Sequence, residues 1–172
     1  MSYITIEQLA EGPGMLAELA EPFGLAVGLM KATIAESDRS AWTSDEIEDA
    51  DNAIASIQNT LDRVDAEMHV YLARRGYQLP LSAIQFPVLT TWARNIARYH
   101  LQPQRDRNNE ETGRIERDYR QAISALQQIA DGKLSLGAGD TLMPLTPESV
   151  DDGAITLTTE PRMFSRGSMR GL

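Results

Sequence analysis

The stretch TSDEIEDADNAIASIQNTLDRVDAEMHVYLARRG, residues 43–76, decides the fold. Thr43 is followed three residues later by Glu46, the spacing of a capping box, in which each residue's side chain satisfies the other's backbone N–H. Asp45, Glu46, Glu48, Asp49 and Asp51 crowd the first turns, where carboxylates favour the positive end of a helix dipole. Apolar residues then recur at Ile47, Ala50, Ile54, Ile57, Leu61, Val64, Met68 and Tyr71, with gaps alternating 3 and 4. That alternation keeps one face apolar over about four heptads. Arg74 and Arg75 fall at the negative end, and Gly76 is a stop residue. The reading is one helix of about 30 residues, ~45 Å long at 1.5 Å per residue. Packing against other helices of the same chain explains its stripe more simply than a coiled-coil seam between chains.

Working outward, Tyr77-Gln78-Leu79-Pro80-Leu81 predicts a tight, extended connection, because Pro80 pushes Leu79 out of the helical region. Pro87 suits the first position of a second helix. Its expected buried face is Leu89, Trp92, Ile96 and Tyr99, with Ala93 and Ala97 beside it and Arg94 and Arg98 off the stripe. Pro103 ends it, and 104–111 reads as a polar loop. A third helix is predicted from about Glu111 to Asp131, lined by Ile115, Tyr119, Ala122, Leu126 and Ile129 and closed by Gly132. The fold class is therefore mainly α, a small antiparallel helical bundle over 43–136. Upstream, residues 1–42 read as an N-terminal segment packing on that bundle. Thr5 and Gln8 form another capping box, Gly12-Pro13-Gly14 stops the first short helix, and Met15 to Glu21 supplies a turn or two before Pro22. Phe23 to Ile34 is apolar and reads equally as a short helix or an irregular packed segment. Ser37-Asp38-Arg39-Ser40 reads as a loop.

After Leu136-Gly137 the helical period disappears. Residues 137–172 read as a long extended C-terminal arm, with one strand-like run at 154–159. Charge divides the arm. Asp140, Glu148, Asp151, Asp152 and Glu160 come with no base, and Arg162, Arg166 and Arg170 follow with no acid. A segment of this length without secondary structure is usually either functional or disordered. Its end combines arginine with Met163, Phe164, Met169 and Leu172, a composition that suits an interface better than a linker.

Composition limits the chemistry. The chain has 172 residues, 42% of them hydrophobic, no cysteine and a formal net charge of −9. It is long enough for one domain with a core. Without cysteine there is no disulfide, thiolate nucleophile or thiolate metal ligand. His69 and His100 are too few and too scattered to suggest a metal site or a catalytic arrangement, and Leu136-Gly137-Ala138-Gly139 lacks the Lys-Ser/Thr of a phosphate loop. The expectation is a non-enzymatic protein with no cofactor and no metal. No apolar run approaches the ~18 residues of a membrane span, and Glu7 and Glu11 interrupt any signal-peptide pattern. A soluble, intracellular protein with no membrane partner is expected. Seven arginines between 94 and 120 (Arg94, Arg98, Arg105, Arg107, Arg114, Arg117 and Arg120) alternate with Asp106, Glu110, Glu111, Glu116 and Asp118. That mixture suits a salt-bridged surface or a subunit contact. A small helical DNA-binding protein using these arginines is the rival reading.

Several ordered pieces carry a resemblance. They are Ala66-Glu67-Met68-His69-Val70-Tyr71-Leu72-Ala73-Arg74-Arg75-Gly76-Tyr77, Leu79-Pro80-Leu81, and Ala93-Arg94-Asn95-Ile96-Ala97-Arg98-Tyr99-His100-Leu101. Tyr119-Arg120-Gln121-Ala122-Ile123 and Ile129-Ala130-Asp131-Gly132-Lys133-Leu134-Ser135-Leu136-Gly137 follow, and Arg162-Met163-Phe164-Ser165-Arg166 with Met169-Arg170-Gly171-Leu172 closes the series. In order and spacing these resemble a family of Mu-like phage and prophage proteins regarded as head–tail connector, or neck, components. Tyr3-Ile4-Thr5 fits the family's opening, while residues 11–42 depart from it. The resemblance implies a virion protein of the neck, present in the host cytoplasm during assembly. About twelve copies would form a homo-oligomeric ring under the portal, a dodecamer with closed cyclic symmetry. The ring would extend the DNA channel, with DNA as passing cargo, and offer a docking surface to the stopper or tail-completion protein. It also implies that the arm binds the portal or a neighbouring subunit through Arg162, Met163, Phe164, Ser165, Arg166, Met169, Arg170 and Leu172. A stopper or tail-completion protein of the neck is the alternative within that class, disfavoured by three long helices.

Overall fold

A computed structural model describes residues 2–102, 110–137, 140 and 142. Among them are six α-helices and no β-strand: α1 (Ile6–Ala10), α2 (Met15–Ala20), α3 (Val27–Ile34), α4 (Ser44–Arg75), α5 (Pro87–Leu101) and α6 (Glu110–Ala130). The chain is mainly α, as its periodicity predicts. The strand-like run at 154–159 lies outside the described residues.

Thr43 caps α4 as expected: its side chain accepts from the Glu46 amide, and the Glu46 carboxylate accepts from the Thr43 amide at 2.8 Å. Gly76, at φ +98°, ends the helix in a Schellman turn, with Gly76 N–H donating to Ala73 and Tyr77 N–H to Leu72. Gly132 does the same for α6, donating to Ile129 while Lys133 donates to Gln128. The α3 terminus repeats the pattern with a non-glycine residue. Glu36 sits at φ +49° and donates to Thr33, and Ser37 donates to Ala32.

The buried face of α4 is Ala50, Ala53, Ile57, Leu61, Val64, Met68 and Leu72, with gaps of 3, 4, 4, 3, 4 and 4. That period is close to the 3.6 of a straight helix and not the 3.5 of a supercoiled seam. Ile47, Ile54 and Tyr71, which the heptad reading put on the stripe, are consequently only half-buried. α4, α5 and α6 pack on one another in all three pairings, and α3 packs on α4. The N-terminal segment contributes to the same core, which gathers Tyr3, Ile4, Leu9, Leu19 and Met30 with Ile57, Met68, Leu89, Ile96 and Leu126. Tyr3 is its anchor. Its N–H donates to the buried Asp65 carboxylate of α4 at 3.1 Å, and its carbonyl accepts from the Thr90 hydroxyl of α5 at 3.0 Å.

The structure settles one open reading and revises one assignment. Val27–Ile34 is a helix, which the sequence left open, with Leu29, Met30 and Ala32 buried. Tyr99, assigned to the buried face of α5, is 39% exposed. Its ring lies flat on Tyr119 of α6, centroids 4.0 Å apart and planes 9° apart, so it covers the α5–α6 contact from outside.

Candidate functional site

All eight residues expected to bind a partner (Arg162, Met163, Phe164, Ser165, Arg166, Met169, Arg170 and Leu172) lie outside the described residues. The structure does show how the chain leaves the bundle toward them. Tyr77 is the residue that the Schellman turn places just beyond α4. Its hydroxyl donates to Asp140 Oδ2 at 2.5 Å. The same carboxylate accepts from the Leu136 amide at 2.8 Å and the Leu142 amide at 2.9 Å. One side chain thus closes the turn after α6 and fastens it to the end of α4. Leu136 and Leu142 pack against the core on either side of it. Arg74 reinforces the junction, donating to Asp131 at 3.0 Å.

The electrostatics follow from this geometry. Burial first, then the hydrogen bond and charge of Asp140, push the Tyr77 phenol above its ordinary range. Burial would raise the Asp140 carboxyl. The hydrogen bonds from Tyr77, Leu136 and Leu142, with the nearby Arg75 charge, outweigh it and hold the group below the usual carboxylate range. The junction is therefore anionic at Asp140 and neutral at Tyr77 over the ordinary pH range.

A second feature lies at the other end of α6. A groove of about 860 Å³ is lined by Pro13, Met15, Arg98, Gly113, Arg114, Ile115 and Arg117. Arg98 is committed: its guanidinium grips Glu18 in a bidentate pair at 2.9 and 2.8 Å, and Gln102 adds a third bond to Glu18 at 3.2 Å. Arg117 donates through Nε to the Gly113 carbonyl, and Arg114 is exposed. Among the described residues neither Arg114 nor Arg117 forms an ion pair.

The arginine series therefore splits by role. Arg94 donates to the Gln8 carbonyl at 2.8 Å, and with Arg98 it ties the N-terminal segment to α5. Arg120 pairs with Glu116 one turn back on α6. Arg114 and Arg117 face the groove, and Arg105 and Arg107 lie outside the described residues. His100 contacts Glu67 at 3.0 Å, joining α5 to α4, and the His69 ring stands edge-on to Tyr3 at 5.3 Å.

The sequence reading missed both Tyr77–Asp140 and Arg98–Glu18. The first had a local signal, since an aromatic just after a C-terminal glycine commonly packs back onto its helix. The second, spanning 80 positions, had none.

No curated protein and no solved structure matches the chain. No helix among the described residues is long and apolar enough to cross a membrane. The model of one protein family, described as bacteriophage Mu, Gp36, matches residues 29–152. The match takes in most of α3, all of α4 to α6, the Tyr77–Asp140 junction and the first part of the C-terminal segment. Since it spans well over half of the sequence, this phage protein belongs to the bacteriophage Mu Gp36 family.

Proposed function

We propose that the protein is a structural head–tail connector of a tailed bacteriophage, an adaptor that forms a ring under the portal. In this role the ring extends the DNA channel and presents a surface to the stopper or tail-completion protein. The family match over 29–152 carries the reading. It covers the same helices whose sequence resembles Mu-like neck components. The geometry is compatible with that role. The bundle is rigidly capped at both ends of its longest helix, and the C-terminal segment departs from a fixed root at Asp140. From that root, Arg162, Phe164, Arg166, Met169 and Arg170 would reach the portal or a neighbouring subunit. A segment that orders on docking can cover a large partner surface despite its entropic cost.

The test is co-expression with the cognate portal, followed by affinity co-purification, for the full chain and for a chain lacking 161–172. The truncated protein is expected to keep its helical circular dichroism and lose portal association by at least about tenfold, as the loss of an interface anchor implies. Undiminished association would overturn the arm assignment. Absence of the full-length protein from the neck in electron micrographs of virions would overturn the connector reading itself.

A further inference from the structure

We infer that the groove at Arg114 and Arg117 is the docking site for the acidic part of the chain's own C-terminal segment, centred on Asp151 and Asp152. The inference goes beyond the connector reading and does not depend on it.

The groove is a cationic feature on a protein of net charge −9. Arg98, at its edge, is neutralised by Glu18. Arg114 and Arg117 have no carboxylate partner among the described residues, and Glu116, between them in sequence, is engaged by Arg120. They sit in the second and third turns of α6, three residues apart and so on one side of the helix. The site therefore suits an anionic ligand with two charges close together.

The chain carries such a ligand. Residues 143–160 hold Glu148, Asp151, Asp152 and Glu160 and no lysine or arginine. Residues 161–172 hold only arginines among their charged side chains, and the groove would repel them.

The reach fits as well. The segment starts from Leu142, whose amide is held by Asp140, itself bound to Tyr77. The end of α6 is tied to the same corner through Asp131 and Arg74. From Ala130 back to Arg117 and Arg114 is about 20–24 Å along the helix at 1.5 Å per residue. Asp151 and Asp152, about nine and ten residues past Leu142, reach about 30–35 Å when extended. Glu148 reaches only about 20 Å, so Asp151 and Asp152 are the first carboxylates able to enter the groove fully.

Tethering favours the intramolecular contact, because a short linker holds its end at an effective concentration of about millimolar. A nucleic-acid phosphate backbone is the less suitable ligand, since such binding rests on many cationic contacts and the overall charge opposes it. Each exposed pair is weak and screened, so the docking is salt-sensitive.

The cysteine-free sequence allows a direct experiment. A nitroxide is attached to full-length, ¹⁵N-labelled protein through Ser149→Cys, and paramagnetic broadening is read in dilute solution. At low salt the amides of Gly113 to Arg117 are expected to lose at least about half their intensity, and to regain most of it in about 1 M salt, where the Debye length falls to about 3 Å. The double variant Arg114→Glu/Arg117→Glu should abolish the broadening, and adding Asp151→Lys/Asp152→Lys should restore it. Full intensity at Gly113 to Arg117 in the spin-labelled wild-type background overturns the proposal. So does broadening that appears only when ¹⁵N-labelled chains without the label are mixed with unlabelled spin-labelled chains, which would assign the groove to a second copy. Groove resonances that ignore the nitroxide and shift with an added duplex oligonucleotide overturn it in favour of DNA.

Discussion

Tyr77 and Asp140 show how much one contact can organise. A phenol and two backbone amides converge on one carboxylate, so replacing Tyr77 removes a hydrogen bond to a charged acceptor and leaves the turn less firmly held. Tyr77→Phe is expected to cost about 1–2 kcal/mol in urea unfolding near neutral pH, the usual size for a partly exposed bond to a charged group. The pH dependence follows from the directions of the shifts. Asp140 is depressed in the folded state, so its contribution is present above the ordinary carboxylate value of about 3.9 and is lost as pH falls through the lower folded value. Tyr77 is raised, so its contribution is present below about 10 and is lost as pH climbs toward the folded value. The deficit of Tyr77→Phe should therefore be greatest on the plateau between these limits and shrink on both sides. A deficit that is flat with pH would show that the ring's packing matters and the hydroxyl does not. Glu18 offers a second check. Its side chain and that of Arg98 are 11% and 14% exposed, so Glu18→Ala strands a guanidinium in a half-dry site and is expected to cost about 3 kcal/mol. Glu116→Ala, at the exposed pair with Arg120, should stay within about 0.5 kcal/mol. Arg98 illustrates a limit of sequence reading: its position off the apolar stripe of α5 was legible, but the acid that reaches it comes from α2.

At the scale of the element, helix ends were the most legible features. Thr43 with Glu46, Thr5 with Gln8, Gly76 and Gly132 all act locally, through backbone groups within a turn, and each does what its residue type implies. The buried face of α4 was less legible. Ile47 and Ile54 are as apolar as Ile57, and only tertiary packing decides that Ala53 and Leu72 go in and they stay half out. The end of α3 was not legible, because Glu36 occupies a left-handed position normally given to glycine. That conformation costs an L-residue roughly 1–2 kcal/mol. Glu36→Gly should relieve part of the strain, offset by the entropy of a freer unfolded chain, and stabilise by about 0.5–1 kcal/mol. Thermal unfolding followed by circular dichroism would check it, and a lower midpoint would mean that the Glu36 side chain does something its geometry does not reveal.

For the whole molecule, the fold depends on residues far from its longest helices. Tyr3, Ile4, Leu9, Leu19 and Met30 share one core with the bundle, and Tyr3 bridges α4 and α5 through its own backbone. Deleting residues 1–42 would expose this surface and leave Asp65 without its donor. The truncated chain is expected to lose cooperative unfolding and to bind a hydrophobic dye, as proteins do when fixed packing is lost. A sharp, two-state transition in the remaining 43–172 would instead show an autonomous bundle. Helical class and helix order were readable because period and caps are local properties. The tie between Tyr3 and Asp65 was not, because a backbone amide leaves no mark in composition.

The side chains of α4 have a final electrical consequence. Asp45, Glu46, Glu48 and Asp49 stand at one extremity and Arg74 and Arg75 at the other, about 40 Å apart at 1.5 Å per residue. Arg74 is paired with Asp131 and Arg75 lies near the Asp140 carboxylate, so the cationic extremity is largely neutralised by its own junction. The four carboxylates at the other extremity stay exposed, so a polyanion is disfavoured from meeting the molecule at that point.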